Sequence, residues 1–242
     1  MRNLKIIVEY DGTNFCGWQI QKDCRSVQGE LKAAVYKITG EEVTVEGAGR
    51  TDSGVHARGQ VANFRIAKSI GTFEFTKGLN AVLPEDVRIK SMEEVDESFH
   101  ARFSAKERRY KYYIIQQPTA LHRMHAWYYP HTLDLEVMRE GCRQILGEHD
   151  FKSFCLVQAE VNHHRCEVRK ADWYDEGTFR IFEIHANRFV HSMVRALVGT
   201  FVRLGNGKLS LEDLQHILEE RDRRTAGFAA PAHGLYLEEV IY

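Results

Sequence analysis

Residues 43–66 read VTVEGAGRTDSGVHARGQVANFRI, and this stretch decides how the first half of the chain is built. The apolar patterns at 43–47 and 60–66 predict two strands, because alternate side chains of a strand point to the same face of a sheet. The loop between the strands holds three glycines within 47–57, which let the backbone turn tightly and approach a ligand closely. It also displays the ionisable side chains of Arg50, Asp52 and His56.

The remaining sequence mixes strand and helix patterns without a regular βαβ rhythm. Strands are predicted at 3–10, 87–95, 108–116 and 235–242, with a hairpin at 165–173 and 179–186; helices are predicted at 26–40, 72–82, 134–146, 189–204 and after Ser210. Hairpin-like pairs favour antiparallel sheet, and therefore an α+β fold. Each half reads roughly strand, helix, strand, strand, so we expect two similar domains, 1–104 and 105–242, with largely antiparallel sheets packed together and helices on the outer faces.

Composition places the chain among ordinary globular proteins. Its 242 residues carry 33 Lys and Arg against 34 Asp and Glu, and 43% are hydrophobic. No stretch approaches the ~20 apolar residues that span a bilayer. The first apolar run, at 6–8, is too short for the core of a signal peptide, so a cytoplasmic location is expected.

The cysteines and histidines predict neither a disulfide framework nor a metal site. The five cysteines are odd in number and no two are spaced as C-x-x-C, which favours reduced thiols. The histidines at 122 and 125 and the pair at 163–164 lack cysteine or acidic partners at metal-ligand spacing.

Basic residues are segregated although the net charge is only −1. Residues 102–112 carry five basic side chains and one acidic side chain, Glu107, and residues 185–208 carry four basic and no acidic ones. Such segregation suits a polyanionic partner, with ordinary solvated faces as the alternative.

The loop around Asp52 admits more than one interpretation from its residues alone. A carboxylate held among glycines is placed for nucleophilic or general-base chemistry. A phosphate-binding loop is disfavoured, because the Lys-Ser/Thr ending of a P-loop is absent. A polar surface turn remains the simplest alternative.

The segment 47–57 resembles the motif around the catalytic aspartate in the tRNA pseudouridine synthase A family. Further segments match the family in order along the chain: EYDGTNFCGWQ at 9–19, SVQG at 26–29, FSAKERRY at 103–110, NRFVHSMVR at 187–195 and APAHGLYL at 230–237. Val190 and Ser192 depart from the family pattern at positions expected to be loosely constrained. The resemblance therefore covers nearly the whole chain.

The resemblance implies that uridine in the anticodon stem-loop of tRNA is converted to pseudouridine. The N1–C1′ bond breaks, the uracil turns over, and C5 bonds to C1′. No metal, nucleotide or organic cofactor is implied. The family resemblance implies a homodimer of two-domain subunits, with the active site in a cleft between the domains and a tRNA that contacts both subunits.

The resemblance also assigns roles to individual side chains. Asp52 is carried over as the nucleophile or base, and Arg195 as the arginine that pairs with it. Tyr110 aligns with the family's active-site tyrosine, and we expect its ring to stack on the extruded uracil, with a core tyrosine of the strand as the alternative. The RNA-facing candidates are Arg50, which contacts phosphate or fills the space of the flipped base, and the weaker His56, Arg58 and Arg188.

Two other classes of function stay open at this stage. A non-catalytic RNA-binding module needs the basic residues and Tyr110 but no carboxylate at Asp52. An RNA glycosylase or glycoside hydrolase usually needs a second carboxylate as general acid. The matched segments at 103–110 and 187–195 offer only Glu107 for that role.

Overall fold

The computed structural model describes residues 1–156 and 163–242, which form two compact units. Unit 1 comprises residues 1–106 together with 236–242, and unit 2 comprises residues 107–235. The sequence-based division placed the boundary at 104/105 and left the C-terminal strand in the second half. The strand belongs to unit 1 because Tyr236 and Leu237 pair with His56 and Ala57.

The elements follow one another along the chain in this order. They are β1 (Arg2–Tyr10), α1 (Val27–Thr39), β2 (Glu46–Gly47), β3 (His56–Ile66), α2 (Thr72–Val82), β4 (Val87–Val95), β5 (Glu107–Ile115), β6 (Trp127–Tyr128), α3 (Leu135–Gln144), β7 (Gly147–Asp150), β8 (Arg165–Glu176), β9 (Phe179–Ala186), α4 (Met193–Gly205), α5 (Leu211–Glu220) and β10 (Leu235–Ile241).

The sheet of unit 1 has the strand order β4-β1-β3-β10. Strand β1 pairs antiparallel with both β3 and β4, whereas β3 and β10 run parallel. Helix α1 begins after Ser26, whose side chain accepts a hydrogen bond from the Gly29 N–H, and ends at Gly40, which takes a left-handed conformation with φ 74°. Both caps were predicted from the sequence.

The sheet of unit 2 has the order β5-β9-β8-β7, all antiparallel. The predicted hairpin is present, with Gly177 at φ 60° in the turn between β8 and β9. Its core is aromatic: the Trp173 and Phe182 rings stack at 5.0 Å, and Phe201 of α4 lies 5.3 Å from Phe182. The capping box of Ser210 and Asp213 begins α5 as expected.

The α+β class with largely antiparallel sheets is confirmed, but some predicted elements have other bounds; β3, for example, begins at His56 rather than at 60. Helix α4 begins at Met193 rather than at 189, because Ser192 adopts a left-handed backbone with φ 61° that no helix accommodates. The strand predicted at 43–47 is reduced to Glu46–Gly47. No helix in the described part of the chain is long and apolar enough to cross a membrane.

The expectation of reduced thiols was wrong for one pair. Cys16 and Cys24 are joined by a disulfide, with their Cα atoms 6.1 Å apart. A hydrogen bond of 2.9 Å from the Cys16 N–H to the Arg25 carbonyl draws the ends of this loop together, which sequence spacing did not indicate. Cys142, Cys155 and Cys166 are free and buried.

Candidate active site

Asp52 lies in the loop that joins β2 to β3 of unit 1. Its side chain is half-buried, whereas Arg50, two residues earlier, is exposed. The Val55 N–H donates to the Asp52 carbonyl at 3.2 Å and closes a turn. Gly54, inside that turn, has φ 77°, a backbone conformation that residues other than glycine rarely adopt. The glycine of this motif is therefore required by the turn that presents Asp52.

The segment that contains the disulfide holds this loop from one side. The Phe15 carbonyl accepts hydrogen bonds from Ser53 Oγ at 3.1 Å and from the Gly54 N–H at 3.3 Å. The Trp18 N–H donates to the Thr51 carbonyl at 3.1 Å. Residues on both sides of Asp52 are thus fixed to residues 15–18 of the same unit.

Buried side chains of β1 and β3 hold the loop from within. The Tyr10 hydroxyl and Thr51 Oγ1 lie 2.8 Å apart, and Gln60 Nε2 donates to the Gly49 carbonyl at 3.0 Å. Tyr10, Thr51 and Gln60 are 3%, 7% and 0% exposed, so these bonds are shielded from water. Burial raises the pKa of Tyr10 to about 12, which outweighs the opposing hydrogen bonds with Thr51 and Gln60.

His56 begins β3 directly after the loop, and it is 1% exposed. Its Nδ1 accepts a hydrogen bond from the Gly12 N–H at 3.0 Å, and its ring stacks on Tyr236 with centroids 4.6 Å apart. The structure therefore places His56 in the interior, which does not favour the direct RNA contact that the resemblance suggested.

Arg58 remains at the surface of unit 1, with 47% of its side chain exposed. Its guanidinium donates to Glu238 at 2.9 Å and lies 4.7 Å from the centre of the Tyr236 ring. Arg50, Asp52 and Arg58 are the three sequence-predicted residues of this unit that solvent reaches.

Arg195 lies in the first turn of α4 in unit 2. Its Nε donates to the Ala230 carbonyl at 2.8 Å, and its own carbonyl accepts from the Ala230 N–H at 2.9 Å. These two bonds tie the matched segments 187–195 and 230–237 to each other. Next to Ala230, the Pro231 carbonyl accepts a 2.8 Å hydrogen bond from the Tyr112 hydroxyl.

Tyr110 and Arg188 are the other predicted residues of unit 2. Tyr110, on β5, is 7% exposed, and its ring meets Phe189 edge-on at 5.0 Å. Nη1 of Arg188, the residue next to Phe189, lies 3.1 Å from Nε2 of His163. The structure thus brings the Tyr110 and Arg188 segments together within unit 2.

The basic segment 102–112 is less open than its composition suggested. Arg108 is 8% exposed and donates to the Asn187 carbonyl at 2.8 Å, while Arg109 bonds Glu107 at 2.7 Å. Burial acts to raise the pKa of Glu107, but its bonds with Arg109 and Arg169 outweigh burial and lower it. Arg108 is therefore buried, and its guanidinium is engaged by the backbone of unit 2.

Tyr10, Thr51 and Gln60 were not among the sequence-predicted site residues. Tyr10 ends a strand whose apolar alternation gave it an ordinary core role. The fixed contacts of Thr51 and Gln60 depend on partners distant in sequence. The one available signal was the presence of Tyr10 and Thr51 within matched segments.

Comparison with known proteins finds relatives over the whole chain. A family model described as tRNA pseudouridine synthase matches residues 6–104 and 142–242. Proteins named tRNA pseudouridine synthase A from Caldicellulosiruptor bescii and Acetivibrio thermocellus are each 43% identical, with 100% of this chain and 100% of each relative covered. The archaeal box H/ACA sRNP Nop10-Cbf5 complex matches with a TM-score of 0.37 and 11% identity, over 91% of this chain and 59% of that one, which is too weak to carry an argument.

Proposed function

The chain belongs to the tRNA pseudouridine synthase family, and from that premise we propose that it converts uridine to pseudouridine in the anticodon stem-loop of tRNA, with Asp52 as the catalytic nucleophile. It is an isomerase that acts on tRNA. The observation that carries the assignment of Asp52 is its half-buried position in a loop held on several sides.

The proposed reaction moves a glycosidic bond without any net change in atoms. The N1–C1′ bond breaks, the uracil turns over, the C5–C1′ bond forms, and the proton on C5 is released while N1 gains one. Asp52 either attacks C1′, adds to C6 or removes the proton from C2′. Each route begins with the same ionised carboxylate, so removal of that carboxylate tests all three.

We assign supporting roles to residues of both units. Arg50 is exposed beside Asp52, which suits a contact with phosphate or with the space vacated by the flipped base. Arg58 and Arg188 are proposed as further RNA contacts. Tyr110 is proposed to act on the base and Arg195 to support the reaction, because both lie in segments that match the family motifs.

Two broader proposals accompany this function: the enzyme works as a homodimer, and it works in the cytoplasm. The family resemblance supports both. Light scattering coupled to size exclusion gives the mass of the free protein. A mass near 28 kDa, the mass of one chain, would contradict the dimer.

The function is tested by mapping pseudouridine through carbodiimide labelling of tRNA from cells with and without this protein. Loss of labelled anticodon stem-loop positions in the deleted strain, restored by the wild-type gene and not by Asp52→Ala, supports the proposal. Mass spectrometry of the treated tRNA separates the alternatives, since isomerisation leaves the mass unchanged and base loss lowers it. An unchanged labelling pattern in the deleted strain contradicts the proposal.

A further inference from the structure

Along the Asp52 loop, residues that are hydrogen-bonded to buried side chains alternate with residues whose own side chains reach the surface. Gly49 and Thr51 are held from below by Gln60 and Tyr10, while Arg50 and Asp52, the residues next in line, have exposed and half-buried side chains. The buried anchors therefore bracket Arg50 and directly precede Asp52.

Both anchoring side chains come from two paired strands of unit 1. Tyr10 is the last residue of β1, and Gln60 lies inside β3, which pairs with β1 along its length. The Gln60 side chain also meets the Tyr10 hydroxyl, so Tyr10, Gln60 and Thr51 form one buried network. A buried network that is fully hydrogen-bonded restricts its members to a single arrangement.

We propose that Tyr10 and Gln60 are positioning residues for the reaction, which act through Thr51 and Gly49 to fix Asp52 and Arg50. The role rests on the proposed function and goes beyond it, because both residues are buried beneath the loop and act through its backbone. A carboxylate that attacks a specific atom must be held within about 0.5 Å of its productive position. Small displacements of such a group slow the reaction far more than they weaken binding.

The network is tested by Tyr10→Phe and Thr51→Val, each of which removes one hydroxyl and preserves most of the side-chain volume. Single-turnover rates, tRNA dissociation constants and melting temperatures are measured for each variant and for the double variant. Thr51→Ser keeps the hydroxyl and is the conservative rescue. Tyr36→Phe, which removes the hydroxyl of a tyrosine that is 52% exposed on α1, is the matched control.

We expect each single variant to slow the chemical step by roughly 10-fold, with tRNA affinity unchanged within about 2-fold. The double variant should be no slower than the slower of the two single variants, because both substitutions remove the bond between Tyr10 and Thr51. Thr51→Ser should recover most of the rate. A purely structural role predicts lower melting temperatures with an unchanged rate, and that result overturns the proposal, as does a double variant whose loss is the product of the two single losses.

The outcome is distinguishable from failure of the proposed function. Wild-type protein that forms no pseudouridine, or forms it without Asp52, refutes the function itself. Turnover that depends on Asp52 but not on Tyr10 or Thr51 refutes only the positioning role.

Discussion

The Nδ1 atom of His56 accepts a hydrogen bond of 3.0 Å from the backbone N–H of Gly12. The same Nδ1 atom lies 3.1 Å from Oδ1 of Asp11, so the first residue of β3 is tied to two consecutive residues that follow β1. Gly12 packs so closely on the Asp52 loop that a Cβ there would lie 2.1 Å from the Val55 carbonyl oxygen. The bond fastens the end of the loop to the turn that follows β1.

His56 substitutions should therefore affect the loop and not tRNA binding. His56→Asn keeps an oxygen acceptor near the position of Nδ1, whereas His56→Leu fills the space without one. We expect His56→Asn to be the more active variant even where His56→Leu is the more stable, with dissociation constants for tRNA close to wild type in both. Single-turnover assays, filter binding and thermal melts check this ranking. A loss of affinity in both variants as large as that expected for removing the exposed guanidinium of Arg50 would return His56 to the RNA surface.

The buried hydroxyl of Tyr10 predicts a loss of stability in alkali. Its pKa is raised from 10.0 to about 12 by burial, so the protonated form is favoured in the folded state. The resulting stabilisation is complete below pH 10 and disappears as the pH rises to about 12. The free energy of unfolding of wild type minus that of Tyr10→Phe should fall by about 2–3 kcal/mol over this range. Urea titrations at pH 9 and pH 12 measure it, and a difference that does not vary with pH contradicts the buried location.

The disulfide between Cys16 and Cys24 should contribute to stability because it closes a loop in the unfolded chain. For a sequence separation of 8 the chain-entropy model gives about 2.5 kcal/mol. Dithiothreitol should lower the melting temperature of wild type and leave that of the variant with both Cys16→Ser and Cys24→Ser unchanged. An equal fall in the melting temperature of both proteins would show that dithiothreitol does not act through this disulfide.

Tyr110 and Tyr112 should respond differently to substitution although they lie two residues apart on β5. Tyr112 is 0% exposed and its hydroxyl donates to the Pro231 carbonyl, so Tyr112→Ala should cost about 3–5 kcal/mol of stability. Tyr110→Phe keeps the edge-on contact with Phe189, so we expect the variant to fold and to bind tRNA. Because it lacks the hydroxyl that could take part in proton transfer, we expect its turnover to be slow. Thermal melts test the stabilising role of Tyr112, and tritium release from 5-tritiated uridine tests the role of Tyr110 in the reaction. A Tyr110→Phe variant with wild-type turnover removes the hydroxyl from the chemistry.

Local signals in the sequence predicted much of the fold. Ser26 and Gly40 bound α1 as expected, because caps act through neighbouring backbone groups. The start of α4 was misplaced because apolar periodicity continues across Ser192, whose backbone is left-handed. Pairing of β10 with β3 joins residues far apart in sequence, so no local pattern assigned the last strand to unit 1.

The candidate site likewise has features that a local sequence pattern predicted and features that only the folded chain reveals. The segment that contains Asp52 stood out in the sequence because its glycines and carboxylate form a compact motif. The burial of His56 and Arg108 depends on backbone partners, Gly12 and Asn187, that only the folded chain brings near. The Tyr10 network was missed for the same reason, since Thr51 is 41 residues away.

The most direct test of the account is the rate of tritium release from 5-tritiated uridine in tRNA by Asp52→Asn and Asp52→Ala. Removal of the carboxylate should abolish turnover and leave tRNA affinity nearly unchanged, because affinity comes mainly from phosphate contacts. Asp23→Asn, at an exposed aspartate of the same unit, is the control and should keep the wild-type rate. No release should be detectable from either Asp52 variant under conditions in which wild type and Asp23→Asn release all the tritium. Substantial release by Asp52→Ala would contradict it.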